Sequence, residues 1–126
     1  MTRLIGGRQL AMKPGNYCPE AGDFILIDLD PTVGHEQSGR RPAIVLSSHN
    51  YNAAAGLCVI CPITSRVRGY PFEAMLPDTA GLRGAVLVDQ PRSISWEKRP
   101  IKHAGRAPDS VLTEVRERLA ALLGID

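Results

Sequence analysis

The sequence predicts a small, mainly β domain that ends in one helix. Six short apolar segments, separated by glycine, proline and polar residues, are typical of strands in a compact barrel or sandwich. The C-terminal residues instead place apolar side chains at helical spacing. A chain of 126 residues fits one domain with one core, and a domain of this size buries roughly two thirds of its unfolded surface.

The first predicted strand is the apolar run that begins at Asp23 and is closed by Pro31. A polar loop that contains two glycines leads from there to Pro42 and the second strand. The later strands are shorter, and the sixth alternates like a half-buried strand. After the first, the predicted strands are residues 43–47, 57–61, 72–76, 84–88 and 92–96.

The predicted helix begins at Pro108-Asp109, because proline suits a first helical turn and an acid suits its positive end. Its apolar residues, from Val111 to Leu123, recur on one face, and Gly124 is a plausible stop. We expect this face to pack on the sheet. Residues 1–16 show no periodicity, and we interpret them as a flexible extension that precedes a single domain at residues 17–126.

Composition permits an anionic partner without requiring one, because the net charge is only +2 and the pI is near 8.6. No apolar run approaches the ~18 residues of a membrane span, and the N-terminal residues lack an apolar signal core. The chain has three cysteines. An odd number without a signal predicts reduced thiols in a cytoplasmic protein that does not contact membranes.

Two of the cysteines, Cys58 and Cys61, have the spacing of a redox or zinc motif. On a strand, however, residues i and i+3 point to opposite faces. No second pair of this kind occurs, and no histidine pair has zinc-like spacing. We therefore predict two buried thiols, no metal site and no cofactor.

The densest polar cluster is the loop from Gly34 to Pro42, which contains a histidine, a carboxylate, an amide and two guanidinium groups. Cleavage of RNA without a metal needs a base for the 2′-hydroxyl proton, a cation for the phosphorane and an acid for the departing 5′-oxygen. Glu36 or His35 can move the protons, and Arg41 can hold the phosphate through two bonds. On composition alone, a solvated turn explains this loop better.

Two further clusters follow predicted strands. Residues 62–66 offer hydroxyls at a strand end, and Arg66 and Arg68 could follow an RNA backbone. Taken alone, a turn capped by Thr64 with solvated arginines explains this cluster better. Residues 92–106 contain five lysines or arginines and one acid, which suits phosphate contacts and stacking on Trp96. A solvated hairpin with Trp96 in the core is an equally good interpretation. His49 and His103 have no partner that the sequence identifies.

The order of these clusters resembles the MazF/PemK family of toxin endoribonucleases over residues 17–124. The most specific part joins Gly34-x-Glu36-Gln37-x-Gly39-x-Arg41-Pro42 to a later Asp89-Gln90-x-Arg92-x-Ile94. The match also includes segments 51–52, 62–65, 69–73 and 84–88 and the C-terminal helix. Residues 1–16 lie outside the resemblance.

The resemblance implies a strongly curved, SH3-like β-barrel of the CcdB/PemK type with attached helices, usually a homodimer. It implies metal-independent, sequence-specific cleavage of single-stranded RNA, often mRNA, that leaves 2′,3′-cyclic phosphate and 5′-hydroxyl ends. It also implies a cognate antitoxin that occupies the RNA site.

By position, Arg41 would stabilise the transition-state phosphate and Thr64 would polarise it. Glu36 would orient the arginine or act as base, and one branch of the family uses a histidine at His35 and an aspartate at Asp89. That branch has an arginine where this chain has Leu87, so the chain mixes features of two branches. Residues expected to bind RNA are Gln37, Arg40, Ser65, Arg66, Arg68, Asp89, Gln90 and Arg92.

Two other interpretations remain. One is a toxin of the same fold that binds DNA gyrase without nuclease activity, through its C-terminal helix. The other is a degenerate relative that only binds an antitoxin, against which the joint presence of Glu36, Arg41 and Thr64 argues.

Overall fold

The computed structural model describes residues 4–5, 8–9, 17–28 and 40–125. These residues form short antiparallel strands, two helices and one 3-10 turn at Asp78–Ala80. The strands are β1 (Leu4–Ile5), β2 (Arg8–Gln9), β3 (Asp23–Ile27), β4 (Arg41–Val45), β5 (Leu57–Thr64), β6 (Glu73–Met75), β7 (Ala85–Leu87), β8 (Arg92–Ser95) and β9 (Ile101–Arg106). The helices are α1 (His49–Ala55) and α2 (Asp109–Leu123).

One antiparallel sheet contains seven of these strands, in the order β6-β7-β5-β4-β3-β9, with β8 also paired to β5. The eight-residue β5 is its centre, because it pairs with β4 along one side and with β8 and then β7 along the other. A register shift between Phe24 and Ile25 marks an irregularity where β3 pairs with β9.

Each face of the sheet has its own core. Alternation sends Ile44 and Ile63 to one face, where they pack with Val111 and Val115 of α2. The other face collects Ile25, Val45, Ile60 and Trp96, among others. The predicted mainly β fold with a C-terminal helix packed on the sheet is therefore confirmed.

The two nearby cysteines of β5 follow the same alternation. Cys58 lies in the core with Trp96, and Cys61 lies in the core under α2. Both thiols are free and buried, as a strand at this position predicts. Burial raises the pKa of each to about 12.

All six predicted strands are present, with ends that differ from the prediction by at most three residues. Helix α1 and strand β9 were not predicted from the sequence. Helix α1 has only seven residues and depends on local caps, in which Ser48 accepts from the Tyr51 amide and Gly56 takes a left-handed conformation. Strand β9 lacks an apolar alternation and is held by its pairing with β3.

The predicted bounds of α2 are correct, since it begins at Asp109 and ends before Gly124 in a left-handed cap with φ of 77°. No helix among the residues that the structure describes is long and apolar enough to cross a membrane. Within residues 1–16, β1 and β2 form a two-stranded ladder, which the absence of periodicity did not predict. The domain boundary at residue 17 stays a prediction.

Asp23 ties the start of the domain to β9. Its buried carboxylate accepts from the Tyr17 hydroxyl, the Glu20 amide at 3.0 Å and Arg106 Nη1 at 3.1 Å. His103 Nε2 lies 3.7 Å from the same carboxylate, and its ring meets Tyr17 edge-on. His103 therefore has partners that the sequence alone did not identify.

Candidate active site

Thr64 is the last residue of β5 and is half-buried. Its Oγ1 accepts a hydrogen bond from the Arg66 amide at 3.0 Å. This bond fixes the hydroxyl oxygen and leaves its hydrogen to donate to an acceptor such as a phosphate oxygen. The predicted use of a hydroxyl at this strand end is thus geometrically possible.

Gly84 allows β7 to approach the backbone of Thr64. Its φ is +121°, and a Cβ on this residue would lie 2.0 Å from the Thr64 carbonyl oxygen. A side chain there would force the strands apart. The glycine therefore helps to set the position of Thr64.

Arg41 begins β4, the neighbour of β5, and its side chain is exposed. The pairing of these strands runs through Ala43 with Pro62. Continuing that register by two residues sets Arg41 across from Thr64, and by alternation both side chains belong to the same face of the sheet. Arg41 and Thr64 are therefore not on opposite sides of the fold.

A cleft of about 310 Å³ opens beside Thr64. Four of its lining residues were predicted from the sequence to belong to the site, and four had no predicted role. The former are Thr64, Arg66, Arg68 and Gln90, and the latter are Tyr70, Phe72, Glu73 and Leu87. Leu87, the position at which one branch of the family has an arginine, contributes an apolar wall.

Glu73 organises the turn on one side of this cleft. Its carboxylate is buried, and Oε1 accepts from the amides of Arg68 at 2.9 Å, Gly69 at 2.8 Å and Tyr70 at 3.3 Å. From the other side, Arg118 of α2 donates to the Pro71 carbonyl oxygen and pairs with Glu114 at 2.9 Å. We call residues 68–72 the aromatic loop, and these contacts hold it at both ends.

Other residues expected to bind RNA do not line the cleft. Arg40, Ser65 and Arg92 are exposed at strand ends. Asp89 Oδ1 is buried and has no hydrogen-bond partner among the described residues. That carboxylate lies near Cys61 and, after burial, is the second cause of the raised thiol pKa.

Three of the predicted site residues, His35, Glu36 and Gln37, lie outside the described residues. Within the part of the chain that the structure describes, no three His, Cys, Asp or Glu side chains are grouped so that they could hold a metal ion. The predicted roles of all these residues, and of Arg41 and Thr64, remain predictions.

The open question about Trp96 is resolved by its burial. The ring is 6% exposed, and its Nε1 donates to the Asn52 carbonyl oxygen at 2.9 Å. It is a core residue and presents no face to a nucleic acid. The exposed aromatic residue beside the arginines is instead Tyr70. The sequence feature that could have identified it is the aromatic pair Tyr70 and Phe72, which stands in a turn with glycine and proline just after Arg66 and Arg68.

Comparison with known proteins identifies relatives of this chain. Residues 20–123 match the family model described as PemK-like, MazF-like toxin of type II toxin-antitoxin system. The chain is 40% identical over 108 residues to the endoribonuclease toxin MazF of Escherichia coli K12, an alignment that covers 86% of this chain and 96% of that protein. It is 38% identical over 111 residues to the endoribonuclease PemK of Escherichia coli, with 82% and 81% covered.

Two solved structures from Deinococcus radiodurans are similar in fold. Crystalline MazF gives a TM-score of 0.78 at 48% identity and covers 87% of this chain and all (100%) of its own. A MazE-MazF crystal structure gives 0.77 at 43% identity, with 88% and 100% covered. With the family model spanning most of the sheet, the cleft and α2, the chain belongs to the PemK-like, MazF-like family of type II toxins.

Proposed function

We propose that this toxin cuts single-stranded RNA, mRNA above all, at specific sequences and without a metal ion. The RNA's own 2′-hydroxyl attacks the adjacent phosphorus, so that an O2′–P bond forms and the P–O5′ bond breaks. The products are a 2′,3′-cyclic phosphate and a 5′-hydroxyl. The observation that carries this proposal is the Thr64 hydroxyl at a basic cleft, on the sheet face that Arg41 also occupies.

Membership of the family makes the chain a toxin endoribonuclease of a type II toxin-antitoxin system. The proposal adds the roles of its side chains. Arg41 stabilises the charge on the phosphorane, and Thr64 donates its hydroxyl hydrogen to a non-bridging oxygen. His35 or Glu36 takes the 2′-hydroxyl proton and a proton is returned to the 5′-oxygen, as the family resemblance implies.

Three further features belong to the proposal. A cognate antitoxin would bind this toxin, in keeping with the MazE-MazF crystal structure of a relative, and the family resemblance implies that it covers the RNA site. The toxin would act as a homodimer, in keeping with the family. It would work in the cytoplasm, where the three free thiols stay reduced.

The test uses a long, defined, unstructured RNA and the purified protein. We expect cleavage that EDTA does not affect, with 5′-hydroxyl ends that map to one short motif. Arg41→Ala should lower the single-turnover rate on the order of 100- to 1,000-fold, since removing one transition-state donor typically costs this much. Arg41→Lys keeps the charge but loses the bidentate contact, so its rate should lie between those of the wild type and Arg41→Ala.

A thermal melt shows whether both variants keep the wild-type fold. Full activity in Arg41→Ala would refute the role given to this residue. Absence of RNA cleavage by the wild type would refute the nuclease mechanism and favour the gyrase-binding alternative.

A further inference from the structure

The cleft has an aromatic wall that the cleavage mechanism does not use. Tyr70 is 47% exposed, although it borders the same cleft as Thr64. Its ring lies against Phe72, with centroids 5.2 Å apart and planes at 38°. Burying aromatic surface is favourable, so an open tyrosine that borders the same cleft as the Thr64 hydroxyl offers a face that a bound ligand can cover.

Several hydrogen bonds hold the backbone under Tyr70 in place. Glu73 gathers three consecutive amides of the aromatic loop onto one carboxylate oxygen, and Arg118 holds the Pro71 carbonyl from α2. A flat group that binds Tyr70 therefore meets a ring whose backbone is already ordered. Pre-ordering of this kind lowers the entropy cost of binding.

The chemistry of the other walls selects the occupant. Arg66 and Arg68 supply positive charge, Gln90 supplies both amide donor and acceptor groups, and Leu87 supplies an apolar surface. Charge and amide groups around an aromatic platform suit an unpaired nucleobase, whose face stacks while its edge and phosphate find polar partners. A volume of about 310 Å³ is at the small end of ligand pockets and fits one such unit.

We propose that this cleft is a subsite for one unpaired base next to the scissile phosphate, and that Tyr70 is the residue on which the base stacks. Tyr70 is thus a substrate-binding residue, and Glu73 positions it. The inference rests on the proposed function, because it places the scissile phosphate at Thr64.

The first experiment compares Tyr70→Ala and Tyr70→Phe on a short RNA that contains the mapped cleavage motif. Loss of the ring should lower kcat/KM roughly 10- to 100-fold, mainly through KM, the usual effect of removing one base–aromatic stack. Tyr70→Phe keeps the ring and should stay within about twofold of the wild type. Tyr51→Ala is the matched control, since Tyr51 is 43% exposed on α1 and outside the cleft lining, and it should cleave normally.

The second experiment replaces each base around the cleavage site, one at a time, by an abasic residue. The wild type should lose most activity at one position, and Tyr70→Ala should lose little more there, because the two changes remove the same contact. Equal kcat/KM for Tyr70→Ala and wild type, or losses that simply add at every position, would overturn the subsite.

A binding measurement tests the base subsite independently of the cleavage mechanism. An oligonucleotide with 2′-deoxyribose at the cut site cannot react, yet it should bind wild type more tightly than Tyr70→Ala. If RNA is never cut but this difference in Kd appears, the subsite stands and the nuclease mechanism fails. If RNA is cut and the two Kd values agree, the subsite alone fails.

Discussion

At the end of β5, the position of the Thr64 hydroxyl depends on two close contacts. Thr64 Oγ1 accepts from the Arg66 amide, so the hydroxyl is held in position before any substrate binds. Gly84 keeps β7 close behind it, where a Cβ would meet the Thr64 carbonyl oxygen at 2.0 Å. Such prior placement is what makes a single hydroxyl effective in a transition state.

Thr64→Val keeps the shape of the side chain but removes the hydroxyl. We expect the single-turnover cleavage rate to fall on the order of 100-fold, because one preorganised donor is lost. Thr64→Ser restores the hydroxyl and should recover most of the rate. Equal rates for the valine and serine variants would show that the hydroxyl takes no part.

The roles proposed for Arg41 and Thr64 come from their places in a motif, but no motif pointed to the exposed aromatic residue of the cleft. Trp96 and Tyr70 both stand near basic residues in the sequence. Burial separates them, since Trp96 is 6% exposed and Tyr70 is 47% exposed. Which aromatic faces solvent depends on the neighbours that fold over it, and those lie far away along the chain.

Among the elements, the aromatic loop is irregular in backbone but held by several hydrogen bonds. It has no helix or strand of its own, so its amides would lack partners without Glu73. The carboxylate comes from the first residue of β6, which pairs with Leu87 of β7. The pairing of β6 with β7 therefore helps to set the conformation of the aromatic loop.

Glu73→Ala should release this loop. Losing the shared acceptor should lower the free energy of unfolding by about 1–3 kcal/mol and raise KM, because the amides must then turn to water. Hydrogen exchange should quicken at the amides of Arg68, Gly69 and Tyr70 while core amides stay protected. Glu73→Gln keeps an acceptor oxygen and should have a weaker effect.

The matched control is Glu117→Ala, which removes an exposed acid on α2. Its stability and exchange should equal those of the wild type. Unchanged exchange at the three loop amides in Glu73→Ala would contradict the positioning role.

At the scale of the whole molecule, the two cores bury both faces of a thin sheet, and both contain thiols. Burial raises the pKa of Cys58 and Cys61 to about 12 and that of Cys18 to about 11, from an ordinary value of 9.0. A neutral thiol is thus favoured in the folded state relative to the unfolded state.

The consequence is a loss of stability in alkali. Below pH 9 the thiols are protonated in both the folded and the unfolded state. Above pH 9 the thiols of the unfolded chain ionise first, which lowers the free energy of the unfolded state. The free energy of unfolding should therefore fall between about pH 9 and 12. Urea denaturation at pH 7.5, 9 and 10 measures this slope. Cys58→Ala should make it shallower, and an unchanged slope would exclude Cys58 as a contributor.

Strand positions, the extent of α2 and the opposite faces of Cys58 and Cys61 were predictable from the residues alone. These features follow from periodicity and end signals, which depend on near neighbours in the chain. Helix α1 and β9 were not predictable in this way, since one is short and the other lacks an apolar pattern.

The cleft itself belongs to the tertiary structure. Its walls come from the end of β5, the aromatic loop, β7 and Gln90, which are separated in sequence and meet only because the antiparallel register of β5, β6 and β7 brings them together. The same is true of His103 and Asp23. Local patterns specify which residues can form a strand or helix, but contacts between distant residues depend on how the strands pair and which faces become buried.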